Sequence, residues 1–296
     1  MTTRRVLKLA VAQYPVENLA TFPDWQQKLD DWLARAHSCK ATLAVFPEYA
    51  GLELVSLLPT HLNLKAQLGA LQELRSQYHA ACSELAQKYR LFLLAGTFPE
   101  YEGERIFNRA RFYAPSGSSQ YVDKLIITPF ERAWGLSAGS TSPVFDTPLG
   151  RIGVAICYDC EFPAVCRRLA ENGAELILVP SCTDTIAGAN RVRIACQARA
   201  LENQCFVAQS CTVGDAAWSA AIDENHGSAG VYAPPDNGLP QTGIIASGAM
   251  DEPCWVYAEL DLDVLRAVRE NGQVRNYADW IDREHLQEPI HQVRLE

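Results

Sequence analysis

The sequence predicts an α/β fold, and three observations carry that reading. Short runs of aliphatic and β-branched residues recur along the chain at 7–13, 42–46, 91–97, 107–113, 151–157, 176–180, 206–209 and 255–260. Apolar residues at helical spacing fill several of the intervals between them. The alternation runs from end to end with no linker, low-complexity tract or internal repeat to divide it. Of the 296 residues 48% are apolar, enough to bury a sizeable core and to exclude intrinsic disorder.

The elements follow in order. Arg4 and Arg5 ahead of the first run imitate the charged start of an export signal. Lys8 splits the apolar stretch and Gln13 ends it without a small-residue cleavage site, so 7–13 reads as a buried strand. A helix follows, with Trp25, Leu29, Trp32, Leu33 and Ala36 on one face. After strand 42–46 a second helix carries Leu71, Leu74, Tyr78, Cys82, Leu85 and Tyr89. Residues 91–124 are strand-rich around a Pro115-Ser116-Gly117 turn, which adds hairpin pairs to the alternation. Strand 151–157 leads through a sharp turn to a helix from Pro163, suited to a first turn, to the stop at Asn172-Gly173. A further helix occupies 190–202. Ala233-Pro234-Pro235-Asp236-Asn237-Gly238 predicts an exposed loop. Residues 1–262 read as one domain and 263–296 as a C-terminal helix and polar tail, whose Trp280 packs on this subunit or on a neighbour at a subunit interface.

Charge and cysteine content narrow the class. Lys plus Arg total 26 against 35 Asp plus Glu, a formal charge of -9 with no basic stripe, so nucleic acid and anionic membrane are not expected partners. Charges break every apolar run well short of the roughly 18 residues that span a bilayer. Ten cysteines without a framework spacing point to a reducing cytoplasm. There is no Gly-rich phosphate loop and no metal-ligand constellation, so neither cofactor nor metal is expected.

Three ionisable residues each follow a buried run: Glu48 after Leu43-Ala44-Val45-Phe46-Pro47, Lys124 after Tyr121-Val122-Asp123, and Cys157 after Ile152-Gly153-Val154-Ala155-Ile156. In α/β sheets the carboxyl ends of strands line the ligand crevice, so such ends bring a carboxylate, an ammonium and a thiol together. Singly, each has a plain reading: a solvated loop acid, a surface strand end and a small core filler. The strand, turn and helix start around Cys157 form the kind of elbow that lifts a nucleophile above a sheet, with the following N–H facing an oxyanion. Cys157-x-x-Cys160 also suggests a redox pair or half a zinc site, but no second pair completes four ligands. Among the histidines only His226, in Asn225-His226-Gly227-Ser228, is placed to serve a Cys-His design, and it reads sooner as a pocket-wall or turn residue.

The blocks Phe46-Pro47-Glu48-Tyr49, Asp123-Lys124-Leu125 with Pro129-Phe130-Glu131, Ile156-Cys157-Tyr158-Asp159 with Phe162-Pro163, Val179-Pro180-Ser181 and Ala198-Arg199-Ala200-Leu201-Glu202-Asn203-Gln204 resemble, in order and spacing, the motifs of the nitrilase superfamily of carbon-nitrogen hydrolases. The resemblance extends from about Leu7 to Leu262. It implies a four-layer αββα sandwich that associates through its helical faces as a homodimer, and a Glu-Lys-Cys triad. By position Glu48 is then the general base, Lys124 the oxyanion stabiliser, Cys157 the nucleophile and Glu131 a second glutamate that positions substrate or water, with the N–H of Tyr158 as second oxyanion donor. These residue types answer a chemical need. A free thiol is only a few per cent thiolate at neutral pH, and an adjacent ammonium offsets the repulsion between carboxylate and forming thiolate.

The superfamily divides its substrates among nitriles, amides, N-carbamoyl amines and acyl transfer. Cys157-Tyr158-Asp159 resembles its amidase-like branches, whereas nitrilases tend to carry Trp-Glu after the nucleophile. The expected function is hydrolysis of a small-molecule, non-peptide amide through a cysteine thioester. Nitrile or N-carbamoyl hydrolysis, or a non-catalytic binding role on the same scaffold, are the alternatives. Further blocks, Val179 through Asp184 and Arg191-Val192-Arg193, resemble a bacterial branch that includes modules fused to acetyltransferases. Ser181, Cys182, Thr183 and Asp184 follow a strand end and are candidate pocket residues. Arg191 reads as a solvated helix charge or as partner to a substrate carboxylate, and Trp134 as a pocket wall or a packing residue.

Overall fold

A computed structural model of the chain describes residues 5–280 and 292–294. Its elements run β1 (Val6–Pro15), α1 (Phe22–Ser38), β2 (Leu43–Phe46), α2 (Leu64–Leu71), α3 (Arg75–Tyr89), β3 (Phe92–Glu102), β4 (Arg105–Tyr113), β5 (Ser119–Asp123), α4 (Pro129–Ala133), β6 (Val144–Thr147), β7 (Gly150–Val154), α5 (Pro163–Glu171), β8 (Leu176–Ser181), α6 (Ile186–Asn203), β9 (Phe206–Asp215), β10 (Glu224–Asn225), β11 (Gly230–Tyr232), β12 (Ile244–Ser247), β13 (Cys254–Asp261), α7 (Leu262–Asn271) and α8 (Asn276–Asp279). Among its 3₁₀ turns, Ala50–Leu57 follows β2 and Cys157–Glu161 follows β7.

Strand β1 joins two sheet walls. It pairs in parallel with β2 and antiparallel with β13, and its residues 13–15 pair in parallel with β9. One wall continues through β3, β4 and β5, the other through β8, β7 and β6. Alternation along β1 sends Leu7, Leu9 and Val11 between the walls, where they join Leu43, Val45 and Leu94 from their own wall and Ile152, Val154, Leu176 and Leu178 from the other. Phe112 on β4 and Phe145 on β6 meet across that space with ring centroids 5.1 Å apart. The opposite face of β1 gives Ala12 and Tyr14 to a second core, with Trp25, Leu29, Trp32 and Leu33 of α1 and Tyr78 and Leu85 of α3. Leu169 of α5 and Val192, Cys196 and Ala200 of α6 close the far side. The layers are therefore α, β, β and α, as the resemblance implies.

The predicted helical faces are the buried ones. Helix α1 is capped by the Thr21 side chain, which accepts the Asp24 N–H, and it buries the five residues its periodicity marks. Each such side chain contributes roughly 1.5–3 kcal/mol by leaving water. Helix α6 starts earlier than the expected 190, because Thr185 accepts the Gly188 N–H and caps a turn whose small residues show no period. The short strands β6, β11 and β12 escaped the reading for want of enough residues to show an alternation. The segment 233–238 is a loop, but not a fully exposed one: Ala233 is 2% and Asp236 8% exposed. Its Asp236 carboxylate accepts the N–H of Gln273, so the C-terminal segment covers it. Tyr277 and Trp280 lie against this chain's own Arg167, whose guanidinium is 5.1 Å from each ring centroid. Among the described residues no helix is long and apolar enough to cross a membrane.

Candidate active site

Each strand end that carries an ionisable residue is fixed by local backbone chemistry. After β2 the Pro47 carbonyl approaches Gly96, whose φ is +76° and where a Cβ would lie 2.1 Å from that oxygen. The register of β3 against β4 shifts between Leu94 and Thr97 at this point, and the Thr97 hydroxyl accepts the Tyr49 N–H at 2.8 Å. Only glycine permits the approach. The result is a Glu48 side chain held in the interior, 1% exposed. Lys124 follows β5, with its N–H on the Asn108 carbonyl at 2.9 Å and its own carbonyl accepting from Gly139 at 2.8 Å.

Cys157 opens the 3₁₀ turn after β7 with φ 47°, left-handed backbone that a side chain adopts only under tertiary constraint. The constraint is Asp159, 1% exposed. Its carboxylate accepts the N–H groups of Leu125 at 3.1 Å, Ile126 at 2.7 Å and Ile156 at 3.3 Å, tying the lysine loop to the nucleophile turn. Glu131 sits in the first turn of α4 in a capping box: Thr128 accepts the Glu131 N–H and donates its own N–H and hydroxyl to Glu131 Oε2.

These elements converge on one buried cluster. Lys124 Nζ is 2.8 Å from Glu48 Oε1 and 2.7 Å from Glu131 Oε2. Asn108 Nδ2 donates to Glu48 Oε1 at 2.8 Å and to Glu131 Oε1 at 2.9 Å. Tyr49 donates its hydroxyl to Glu131 Oε1 at 2.5 Å, and the Cys182 N–H reaches Glu48 Oε2 at 3.1 Å. The Cys157 thiol points to the Cys182 carbonyl, Sγ to O 3.7 Å, and the charges of Glu48 and Lys124 both act on it.

The electrostatics follow from burial and these contacts. Burial pushes the Glu48 carboxyl up, only partly offset by Lys124, and the neighbouring Glu131 charge pushes the same way as burial. Burial alone would raise Glu131 as well, but the Lys124 ammonium and hydrogen bonds from Tyr49 and Thr128 outweigh it and hold that carboxyl low. Lys124 stays firmly protonated, because the two carboxylates more than compensate its desolvation. Burial and the Glu48 charge raise the Cys157 thiol, so it rests protonated beside a base, and Lys124 pulls in the opposite direction. Such a site can accept a proton on Glu48 and stabilise a developing anion near Lys124.

The sequence profile of the carbon-nitrogen hydrolases matches residues 8–270. This chain belongs to that family. It is 34% identical over 275 residues to the probable hydrolase YhcX of Bacillus subtilis (strain 168), a match that covers 92% of this chain and 53% of that one. The chain thus spans about half the length of that relative. It is 28% identical over 197 residues to the omega-amidase NIT2 of Danio rerio, covering 64% of this chain and 68% of that one. The fold is that of Saccharomyces cerevisiae Nit3, a member of the nitrilase superfamily, with a TM-score of 0.70 at 24% identity over 90% of this chain and 94% of that one. The carbon-nitrogen hydrolase of Helicobacter pylori G27 superposes with a TM-score of 0.74 at 19% identity, over 90% and 93% of the two chains.

The remaining candidate residues divide into those near the cluster and those engaged elsewhere. Trp134 is half-buried with its ring 6.1 Å from Tyr49, on the Glu131 side of the site. Cys182 contributes its backbone, while its thiol turns to Asn225 Oδ1 at 3.3 Å. Ser181 is buried and donates its hydroxyl to the Ser210 carbonyl, and Thr183 donates its own to the His226 carbonyl. Asp184 is exposed. Arg191 lies on the solvent side of α6, its Nε 4.0 Å from Glu161 Oε2. Tyr158 follows the left-handed residue, its ring edge-on to Phe162. His226 binds Asp251 through Nδ1 at 2.9 Å, while the charges acting on Cys157 are those of Glu48 and Lys124. Cys160 is fully buried, and among the described residues no group of His, Cys, Asp or Glu is arranged to hold a metal.

Asn108, Tyr49 and Asp159 were not marked as site residues by the sequence reading. Tyr49 and Asp159 stood inside the quoted motifs. Asn108 leaves a fainter signal, a polar residue of low β propensity on the strand face that otherwise carries Ile106, Ala110 and Phe112.

Proposed function

We propose that this chain hydrolyses a non-peptide amide of a small molecule through a thioester on Cys157, releasing ammonia or an amine. The observation that carries the reading is the buried lysine held by two carboxylates, 2.8 and 2.7 Å away, at the mouth of the nucleophile turn. Glu48 takes the Cys157 proton, sulfur attacks the amide carbon, and the carbonyl electrons pass to oxygen, facing Lys124 and the Tyr158 N–H. Glu48 returns the proton to the departing nitrogen as the C–N bond breaks, then takes one from water, whose oxygen bonds to the acyl carbon; the C–S bond breaks, the sulfur recovers that proton from Glu48, and a carboxylic acid leaves. A base whose affinity for protons is raised toward neutrality suits both directions of transfer.

An amide rather than a nitrile is favoured by Cys157-Tyr158-Asp159 and by the activities of relatives, an omega-amidase and a deaminated glutathione amidase. The test is an ammonia-release screen over ω-amides, aliphatic amides, N-carbamoyl amino acids and nitriles, with Cys157→Ala as blank. Release from an amide, absent in the blank, together with an acyl adduct on Cys157 by mass spectrometry, is the expected result. Release only from nitriles, or equal release from the blank, overturns the proposal.

A further inference from the structure

We propose that Asn108 is a positioning residue that keeps Glu48 competent as a base and selects which of its oxygens receives the thiol proton. The inference rests on the triad reading above and adds a residue outside the triad. Asn108 stands in the middle of β4 and is fully buried. Its Nδ2 carries two hydrogens and meets two carboxylates, Glu48 Oε1 at 2.8 Å and Glu131 Oε1 at 2.9 Å. Its backbone carbonyl holds the Lys124 N–H at 2.9 Å. One residue therefore touches both carboxylates through its side chain and the lysine loop through its backbone.

The orientation of the amide is decided by those contacts. Turned over, its oxygen would face two anions, whereas as placed its Oδ1 has no hydrogen-bond donor among the described residues. The cluster holds two carboxylates and one ammonium, an excess of one negative charge inside the protein. Two neutral N–H bonds relieve the repulsion between the acids without adding a charge that would compete for Lys124. Oxygen Oε1 of Glu48 then carries two donors, Lys124 and Asn108, both at 2.8 Å, while among the described residues Oε2 accepts a single N–H, that of Cys182 at 3.1 Å. The less occupied oxygen is the better acceptor. The proton leaving Sγ therefore bonds to Oε2 and is handed from Oε2 to the leaving nitrogen, and Oε1 remains an anchor throughout.

Asn108→Leu keeps the volume and removes the donors. Without them the ionised form of Glu48 is less favoured, so the pH at which the base becomes active should rise by about one unit. The experiment measures two profiles in the full chain: kcat/KM for an accepted amide, and the rate of Cys157 alkylation by iodoacetamide. Expected are an upward shift of the acid limb in both, a kcat lowered about tenfold or more, and KM within about twofold. Asn108→Ser, which restores one donor, should fall between Leu and wild type. If Asn108→Leu does not fold, the same comparison is made with Asn108→Ser against wild type. A folded variant with an unmoved acid limb, or with all its loss in KM, overturns the proposal. Alkylation is read without substrate, so a wild-type protein that hydrolyses no amide would refute the functional reading and still leave the Asn108 shift to be scored.

Discussion

Replacing Lys124 with Met removes the only ammonium of the buried cluster while keeping most of its apolar stem. The ammonium makes contacts of 2.8 and 2.7 Å with carboxylates whose side chains are 1% and 3% exposed. Breaking a buried pair by removing one partner costs about 3–5 kcal/mol, because the other charge stays in the interior uncompensated. Here two are left. In the wild type Glu131 is held low, so its contribution to stability is present above the ordinary carboxylate range and is lost as pH falls through its own lowered value. In the variant the sign reverses. Burial and mutual repulsion raise both carboxyls, and the folded state binds a proton more readily than the unfolded chain. The destabilisation is therefore largest near pH 8 and shrinks toward pH 5, as one acid becomes neutral and donates to the other. Urea unfolding of both proteins at the two pH values measures it, with circular dichroism to confirm the fold. Turnover at pH 8, corrected for folded fraction, should drop about 10²–10³-fold for the lost oxyanion donor. A loss of stability under about 1 kcal/mol that is equal at both pH values would refute the charge argument, and wild-type turnover would refute the assignment of Lys124.

Other perturbations have equally direct readouts. Because burial lifts Glu48 and Lys124 only partly restores it, kcat/KM should rise with pH along a limb lying above the ordinary carboxylate range, as a pH–rate profile will show. The same profile should show no alkaline loss from Lys124 below about pH 10, since the two acids keep it charged. Asp159→Asn replaces a carboxylate that gathers three N–H groups by an amide with one acceptor, so kcat and the rate of Cys157 alkylation should each fall at least about tenfold in a protein that remains folded. Gly96→Ala drives a Cβ into the Pro47 carbonyl from a left-handed backbone and should lower stability by about 1–3 kcal/mol, with a parallel loss of activity as the Glu48 loop shifts, checked by thermal unfolding and turnover.

What the sequence made legible follows from where the information is stored. Strand β1 alternates, α1 repeats Trp25, Leu29, Trp32, Leu33 and Ala36, and α5 carries its own start and stop at Pro163 and Asn172-Gly173, so each announces itself within its own length. Strands β11 and β12 are three and four residues long, too short for a period to emerge, and exist because β9 offers β11 an edge and β11 in turn offers one to β12. The early start of α6 depends on a single cap, Thr185, ahead of residues without amphipathic pattern. The burial of Asp236 is decided by Gln273, which approaches from the far end of the chain.

The same distinction separates the parts of the site. Glu48 and Cys157 are readable because each ends a buried apolar run, whereas in β5 ahead of Lys124 Val122 alone is buried, so it is the coincidence of the three strand ends and the motif around Lys124 that point to the crevice. Ser181 and Thr183 occupy an equivalent strand end, yet their hydroxyls are consumed by the carbonyls of Ser210 and His226, so a strand-end position predicts access to the crevice without predicting that the side chain is free to use it. Asn108 shows the converse. It lies in a strand interior, where an amide side chain weakens the local preference for extended structure and would cost free energy if left without partners. A residue that opposes both its local propensity and its burial must be retained by contacts the local sequence does not contain, and here those contacts are two carboxylates supplied by residues 48 and 131. The disagreement between a polar side chain and the otherwise apolar strand face of Ile106, Ala110 and Phe112 is therefore itself the readable signal of a tertiary role. It identifies that a partner exists, and only the converging loops identify which.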